Sequence, residues 1–260
     1  MNDLRAAAVV AWTTTLEALR NKLLLIALAF GIVLVGLSVT AAAVAIGERA
    51  RLIVDIGLGA ASVIGSAMTI ALAVVSFAGE ISKHTAFPVL ARPMPRWAFI
   101  LGKYLGVVFA MWAVVSTMVI ATAVTTWIYG DPVPTALWIQ WPLALVEVAV
   151  VAAIALMFST MAVPALAASY AAGIIVAGGL ADDVMRIANR QIADGKSTGY
   201  VLRLAYYFLP DLQNLSVRGQ AANALPVPGA FVGFGVGYGV VYAAVVLMVA
   251  MVVFTRRRAI

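Results

Sequence analysis

The sequence contains no cysteine and a single histidine, and only 11% of its 260 residues are charged. Without cysteine, disulfides, thiolate metal sites and thiol nucleophiles are all excluded. One histidine, His84, leaves no HExxH motif and no histidine cluster for a transition metal. A soluble domain carries about 25% charged residues. This chain has less than half of that and is 64% hydrophobic, which excludes an ordinary water-soluble domain. The net charge of +6 does not read as a nucleic-acid surface, because the bases sit beside apolar runs and orient a membrane protein instead. The ten methionines read as apolar filler, and no metal is expected. Asp3, Arg5, Glu17, Arg20 and Lys22 lie in the first 22 residues, with no small-residue cleavage site, so a cleaved signal peptide is not expected.

What the chain does have is long apolar runs. A helix needs about 20 apolar residues to cross a bilayer core. Runs at about 23–46, 56–79, 99–128, 138–160, 162–181 and 229–254 meet that length. The fold class is therefore an all-α integral membrane protein with six transmembrane helices in a single domain over residues 1–260. Residues 138–181 are twice the length of one span, and Pro164 marks a tight hairpin between the fourth and fifth. Arg5, Arg20 and Lys22 at one end and Arg256, Arg257 and Arg258 at the other place both termini in the cytoplasm, in keeping with an even number of spans. The cytoplasmic (inner) membrane of a prokaryote is the expected location.

Three segments are neither spans nor simple loops. Residues 1–22 include LRAAAVVAWTTTLEALR, which reads as an amphipathic helix on the inner surface. Residues 182–228 contain VMRIANRQIA and YVLRLAYYFLPDL, two short amphipathic helices expected to form an extracytoplasmic cap. Residues 80–98 form a polar, proline-broken island, EISKHTAFPVLARPMPRWA, between spans two and three. Ser82 suits a helix cap there, Phe87, Val89 and Leu90 supply an apolar side, and Pro93 and Pro95 stop the helix.

The residues of this island carry a family resemblance. GEISKHTAFPVLARPMPRWAFILGK resembles the signature of ABC-2 type transporter permeases. The matching residues are Glu80 at the end of span two, Thr85 in the short helix, Arg92, Pro93 and Arg96 in the turn, and Gly102 with Lys103 opening span three. His84 departs from the pattern, which often has glycine there. ALRNKLLL and YYFLPDLQNL are similar to further family segments, so the resemblance covers nearly the whole chain. It implies six spans per subunit, pairing with a second copy or a related permease, and a separate cytoplasmic ATPase, two copies per complex. Under it, Glu80, Lys83, His84, Thr85, Phe87, Leu90, Arg92 and Arg96 form the ATPase-coupling segment. ATP and magnesium are then bound by the partner. The fragment GKST at Gly195–Thr198 is no phosphate loop, because Arg190 stands where the first glycine is required.

Two further groups stand out. Glu147 is a carboxylate inside the fourth span, where charge is costly and by default suggests a pathway or gating role. Gly229, Gly233 and Gly237 form GxxxG steps expected to pack helices, within the subunit or at the dimer seam. The leading expectation is an ABC exporter subunit moving a lipid-like or amphipathic cargo by ATP-driven alternating access. The alternative is a membrane module that passes ATPase motion to an extracytoplasmic protein through the cap. No enzymatic site is expected in the chain itself.

Overall fold

The computed structural model describes residues 3–44, 49–82, 95–129 and 132–256. It is helical throughout, with no strand among the described residues. The helices are α1 (Asp3–Leu19), α2 (Lys22–Val44), α3 (Arg49–Ser82), α4 (Arg96–Ile128), α5 (Thr135–Met161), α6 (Pro164–Gly179), α7 (Ala181–Ala193), α8 (Thr198–Phe208), α9 (Arg218–Ala222) and α10 (Gly229–Arg256), with a 3₁₀ turn at Gln213–Leu215. Five of them, α2, α3, α4, α5 and α10, are long and apolar enough to cross a membrane. A sixth span results if α6 and α7, bent by 65° at Leu180, act as one. This is a membrane-embedded helical protein. A lipid core supplies no hydrogen-bond partners, so every backbone group within it must bond inside its own helix.

Side-chain contacts fix how the helices run. Gly57, Gly65 and Phe77 of α3 meet Thr122, Val115 and Phe99 of α4 in turn, so the two helices are antiparallel. α5 reverses again. Trp141 Nε1 donates to Ser116 Oγ at 2.9 Å, Trp112 Nε1 to the Leu145 carbonyl at 2.8 Å, and Tyr104 Oη to the Ala149 carbonyl at 3.3 Å. Pro164 opens α6 at its first turn, where a missing N–H costs nothing, and the chain folds back along α5. α10 then runs parallel to α5, with Gly235 beside Leu143 and Gly239 beside Val146. The rings of Phe77, Phe99 and Phe254 gather with centroids 5.7–6.4 Å apart. They bring the ends of α3 and α10 and the start of α4 to one end of the bundle. The segment 209–222 closes the opposite end.

α1 does more than lie beside the first span. Its buried stripe is Ala7, Ala11, Thr14 and Ala18, four small residues on one helical face. That stripe packs along α4 in parallel register. A Cβ on Gly102 would stand 2.8 Å from the Ala7 carbonyl, and one on Gly106 would stand 2.8 Å from the Ala11 carbonyl. Thr15 Oγ1 also donates to the Gly106 carbonyl at 3.2 Å. Small residues on both helices let the backbones touch, which is how helices gain packing energy in lipid.

The glycines of α10 divide into two faces. Gly235 and Gly239 are buried against Asn214, Leu143 and Val146. Gly229, Gly233 and Gly237 have open space where a Cβ would stand. The close packing within the chain expected of these three is therefore made by the other two. The three open glycines lie on the outer face, and Gly233 and Gly237 line a shallow apolar groove with Phe234 and Val241.

These contacts predict opposite outcomes for two substitutions. Gly106→Val forces side-chain carbon into the backbone of α1, and overpacking of this kind costs about 1–3 kcal/mol. Gly233→Val meets nothing within the chain. Thermal unfolding in nanodiscs should show a lowered Tm for the first variant and a monomer Tm within error of native for the second.

Candidate functional site

The centre of the bundle holds one feature that apolar packing does not explain. Along α3, Asp55, Gly59, Ser62, Ser66 and Thr69 recur at steps of four and three and so share one face. The inner part of that face meets α5 at Glu147. Glu147 is midway along the 27-residue α5 and only 7% exposed. Ser62 Oγ donates to Glu147 Oε1 at 2.8 Å, and Ser66 Oγ donates to the same oxygen at 3.2 Å. Most other hydroxyls in the long helices bond back to a carbonyl three or four residues earlier, as Thr69, Thr122 and Thr126 do. Ser62 and Ser66 instead turn across the interface to the carboxylate.

The segment 209–222 covers this site from the cap end. Leu215 and Val217 are fully buried, and both are held by Gln140 near the start of α5. Gln140 Oε1 accepts from the Val217 N–H at 2.6 Å, and Gln140 Nε2 donates to the Leu215 carbonyl at 3.4 Å. Asp211 organises the entry to the segment. Its carboxylate accepts from Asn214 Nδ2 at 2.7 Å and from Tyr206 Oη at 3.2 Å, while its N–H donates to Tyr238 Oη at 2.8 Å. Partial burial, and then the neighbouring Asp211 carboxylate, push the Tyr206 phenol above its ordinary value, so it stays a donor at neutral pH. Gln213 Nε2 ties the segment to the end of α6 through the Gly179 carbonyl at 2.8 Å.

Arg218 connects the cap to the polar face. Its Nε pairs with Asp55 Oδ1 at 2.9 Å, and its guanidinium lies across Gly59, where a Cβ would stand 2.8 Å from Nη1. Gly59 is one turn from Ser62 and Ser62 one turn from Ser66. A polar track therefore runs from the cap to the bundle centre: Arg218 with Asp55, then Gly59, then Ser62, Ser66 and Glu147.

The coupling residues expected from the sequence are placed differently. Glu80 belongs to the last turn of α3, and Arg96 opens α4 after Pro95. Lys83, His84, Thr85, Phe87, Leu90 and Arg92 lie outside the described residues. Ser62, Asp55, Arg218 and Gln140 were not singled out from the sequence. The four-and-three spacing on α3 was the available signal for Ser62 and Asp55. Nothing local to Gln140 or Arg218 shows that they close over the same bundle.

Two measurements check this arrangement. Gln140→Leu leaves the buried Val217 N–H without its acceptor, a loss of about 1–3 kcal/mol. It should lower Tm and expose residues 209–222 to proteolysis. The Asp55–Arg218 pair is half-exposed on both sides, so a double-mutant cycle with Asp55→Ala and Arg218→Ala should return a coupling below about 1 kcal/mol.

Among curated proteins none matches this chain. One family pattern does, over residues 57–259, from the third helix to the end of α10. It covers Gly59, Ser62, Ser66, Gln140, Glu147 and Arg218, and begins two residues after Asp55. The chain belongs to that family, which is described as protein of unknown function (DUF2705).

Proposed function

We propose that this chain is the membrane subunit of an ABC-type exporter, driven by a separate cytoplasmic ATPase. The observation that carries the reading is the antiparallel pair α3–α4, with 34 and 33 residues, on either side of residues 83–94. At about 1.5 Å per residue each is near 50 Å long, well beyond the hydrocarbon thickness. A force applied between Ser82 and Arg96 is delivered directly into two of the helices that build the bundle. The Phe77–Phe99–Phe254 cluster and the docked α1 stiffen that end, so displacement there is passed along the helices rather than absorbed by loose packing. The sequence signature from Glu80 to Lys103 supplies the docking chemistry, with Arg92 and Arg96 offered to acidic residues of the ATPase. In this reading the end carrying 83–94 faces the cytoplasm. The cap end faces away from it, and ATP-driven closure of the two ATPases shifts α3 against α4. A second permease copy, or a related chain, completes the pathway.

A second reading is favoured by one observation. Helices α7 and α8 pack chiefly on each other, with Gly199 set tightly against Ile192 and the Ala188 carbonyl. Tyr200, Val201, Leu204 and Tyr207 of α8 are left exposed. Such a hairpin is suited to handing motion on to an extracytoplasmic protein.

Co-purification in nanodiscs with a candidate ABC ATPase tests the main reading. The native chain should retain the ATPase, and a folded variant with Arg92→Glu and Arg96→Glu should lose it. Retention by neither rejects the exporter assignment. With the ATPase retained, stimulation by an extracytoplasmic protein that is lost in Leu204→Glu favours the second reading over small-molecule export.

A further inference from the structure

We propose that Glu147, Ser62 and Ser66 form a binding site for one small monovalent cation, a sodium ion or a proton, at the centre of the bundle. The argument starts from charge. On the polar track Asp55 and Arg218 pair with each other. Glu147 is enclosed deeper in the bundle and forms no ion pair among the described residues. The track is therefore one positive charge short of neutral. A lone carboxylate at mid-span is costly, and neutralisation by a bound cation or proton removes that cost.

The remaining charged and titratable groups on the packed elements do not supply that charge. Lys103 lies one turn from Phe99 on the same face of α4, toward the 83–94 end, and Tyr104 donates to the Ala149 carbonyl. Tyr238 accepts from the Asp211 N–H, and Tyr242 sits one turn beyond it on α10. Arg218 reaches the track from the cap and is already bonded to Asp55.

The chemistry of the donors selects the occupant. The two serine hydroxyls stand 2.8 and 3.2 Å from Glu147 Oε1, a hard set of two neutral oxygens and one anionic group. Hydroxyls reverse roles by rotation: they donate to an ionised carboxylate and offer lone pairs to a cation. A divalent ion is a poor match, because a single carboxylate leaves one positive charge buried and no group of three acids or histidines exists among the described residues. An organic ammonium is a poor match in this conformation, because Glu147 is only 7% exposed. The occupant is small and carries one charge. This inference does not rest on the exporter assignment, since the site would load in any membrane protein built this way.

The test is thermal unfolding of the full chain in nanodiscs without any ATPase. Sodium chloride is compared with choline chloride at equal ionic strength, across a range of pH. A ligand bound by the folded state alone raises Tm with its concentration. For a sodium site, Tm is higher in sodium than in choline, and the difference saturates. For a proton site, sodium and choline give the same Tm, and stability is highest at low pH and falls as pH rises. In either case Glu147→Gln, a neutral isostere, removes the dependence. Ser62→Ala with Ser66→Ala, which keeps the carboxylate, moves the half-effect point at least tenfold in sodium concentration or one unit in pH. The proposal is overturned if native and Glu147→Gln respond identically to both sodium and pH. Should Glu147→Gln fail to fold, an unshifted half-effect point in the double serine variant overturns it equally.

Discussion

The architecture depends on helix backbones approaching more closely than most side chains permit. Between helices in lipid there is no water to expel, so association rests on direct packing. The chain provides it by leaving out Cβ atoms where helices meet. Gly102 and Gly106 receive α1, Gly57 receives Thr122, and Gly235 and Gly239 receive the start of the cap segment and α5. Because these contacts are backbone against backbone or against short side chains, they fix register as well as proximity. The polar track on α3 meets Glu147 only because that register holds.

Once the helices are set, two polar networks stand at the cap end and centre of the bundle. The threonine hydroxyls of α3 and α4 mostly fold back on their own helices and cost little. What remains is the track from Arg218 to Glu147 and the network around Asp211 and Gln140. The second network holds the cap segment over the first. The Gln140–Val217 bond therefore bears on the cover over the track without touching the carboxylate.

The sequence made the helices legible because a membrane span is a local property. Apolar runs of the required length identify α2, α4, α5 and α10 without knowledge of their neighbours. The limits of α3 were harder. Hydropathy sets its start near Ile56, whereas the helix begins at Arg49 and carries Arg51 and Asp55 in its first two turns, with Asp55 paired to Arg218. Residues 162–181 read as one more straight span, yet the helix ends at Gly179 and turns by 65° into α7, with Asp182 and Asp183 opening the new helix. Periodicity on α10 shows two interleaved glycine stripes but not which one faces inward, a choice made by the positions of Leu143, Val146 and Asn214. Glu147 stood out for its cost, but its partners lie 85 and 81 residues earlier, and no local pattern joins them.

The parallel docking of α1 on α4 has a consequence for assembly. The Thr15–Gly106 bond spans 91 residues, so α1 must wait for its seat to be synthesised. At a few to about twenty residues per second, that wait lasts several seconds or more. During it, the small-residue stripe of α1 has no partner from α4, while Val9, Trp12 and Leu19, which stay on its outer side in the finished fold, can hold it at the bilayer surface. Helix α1 is therefore made well before α4 and is among the later pieces to be seated. The order of biogenesis differs from the order of the chain.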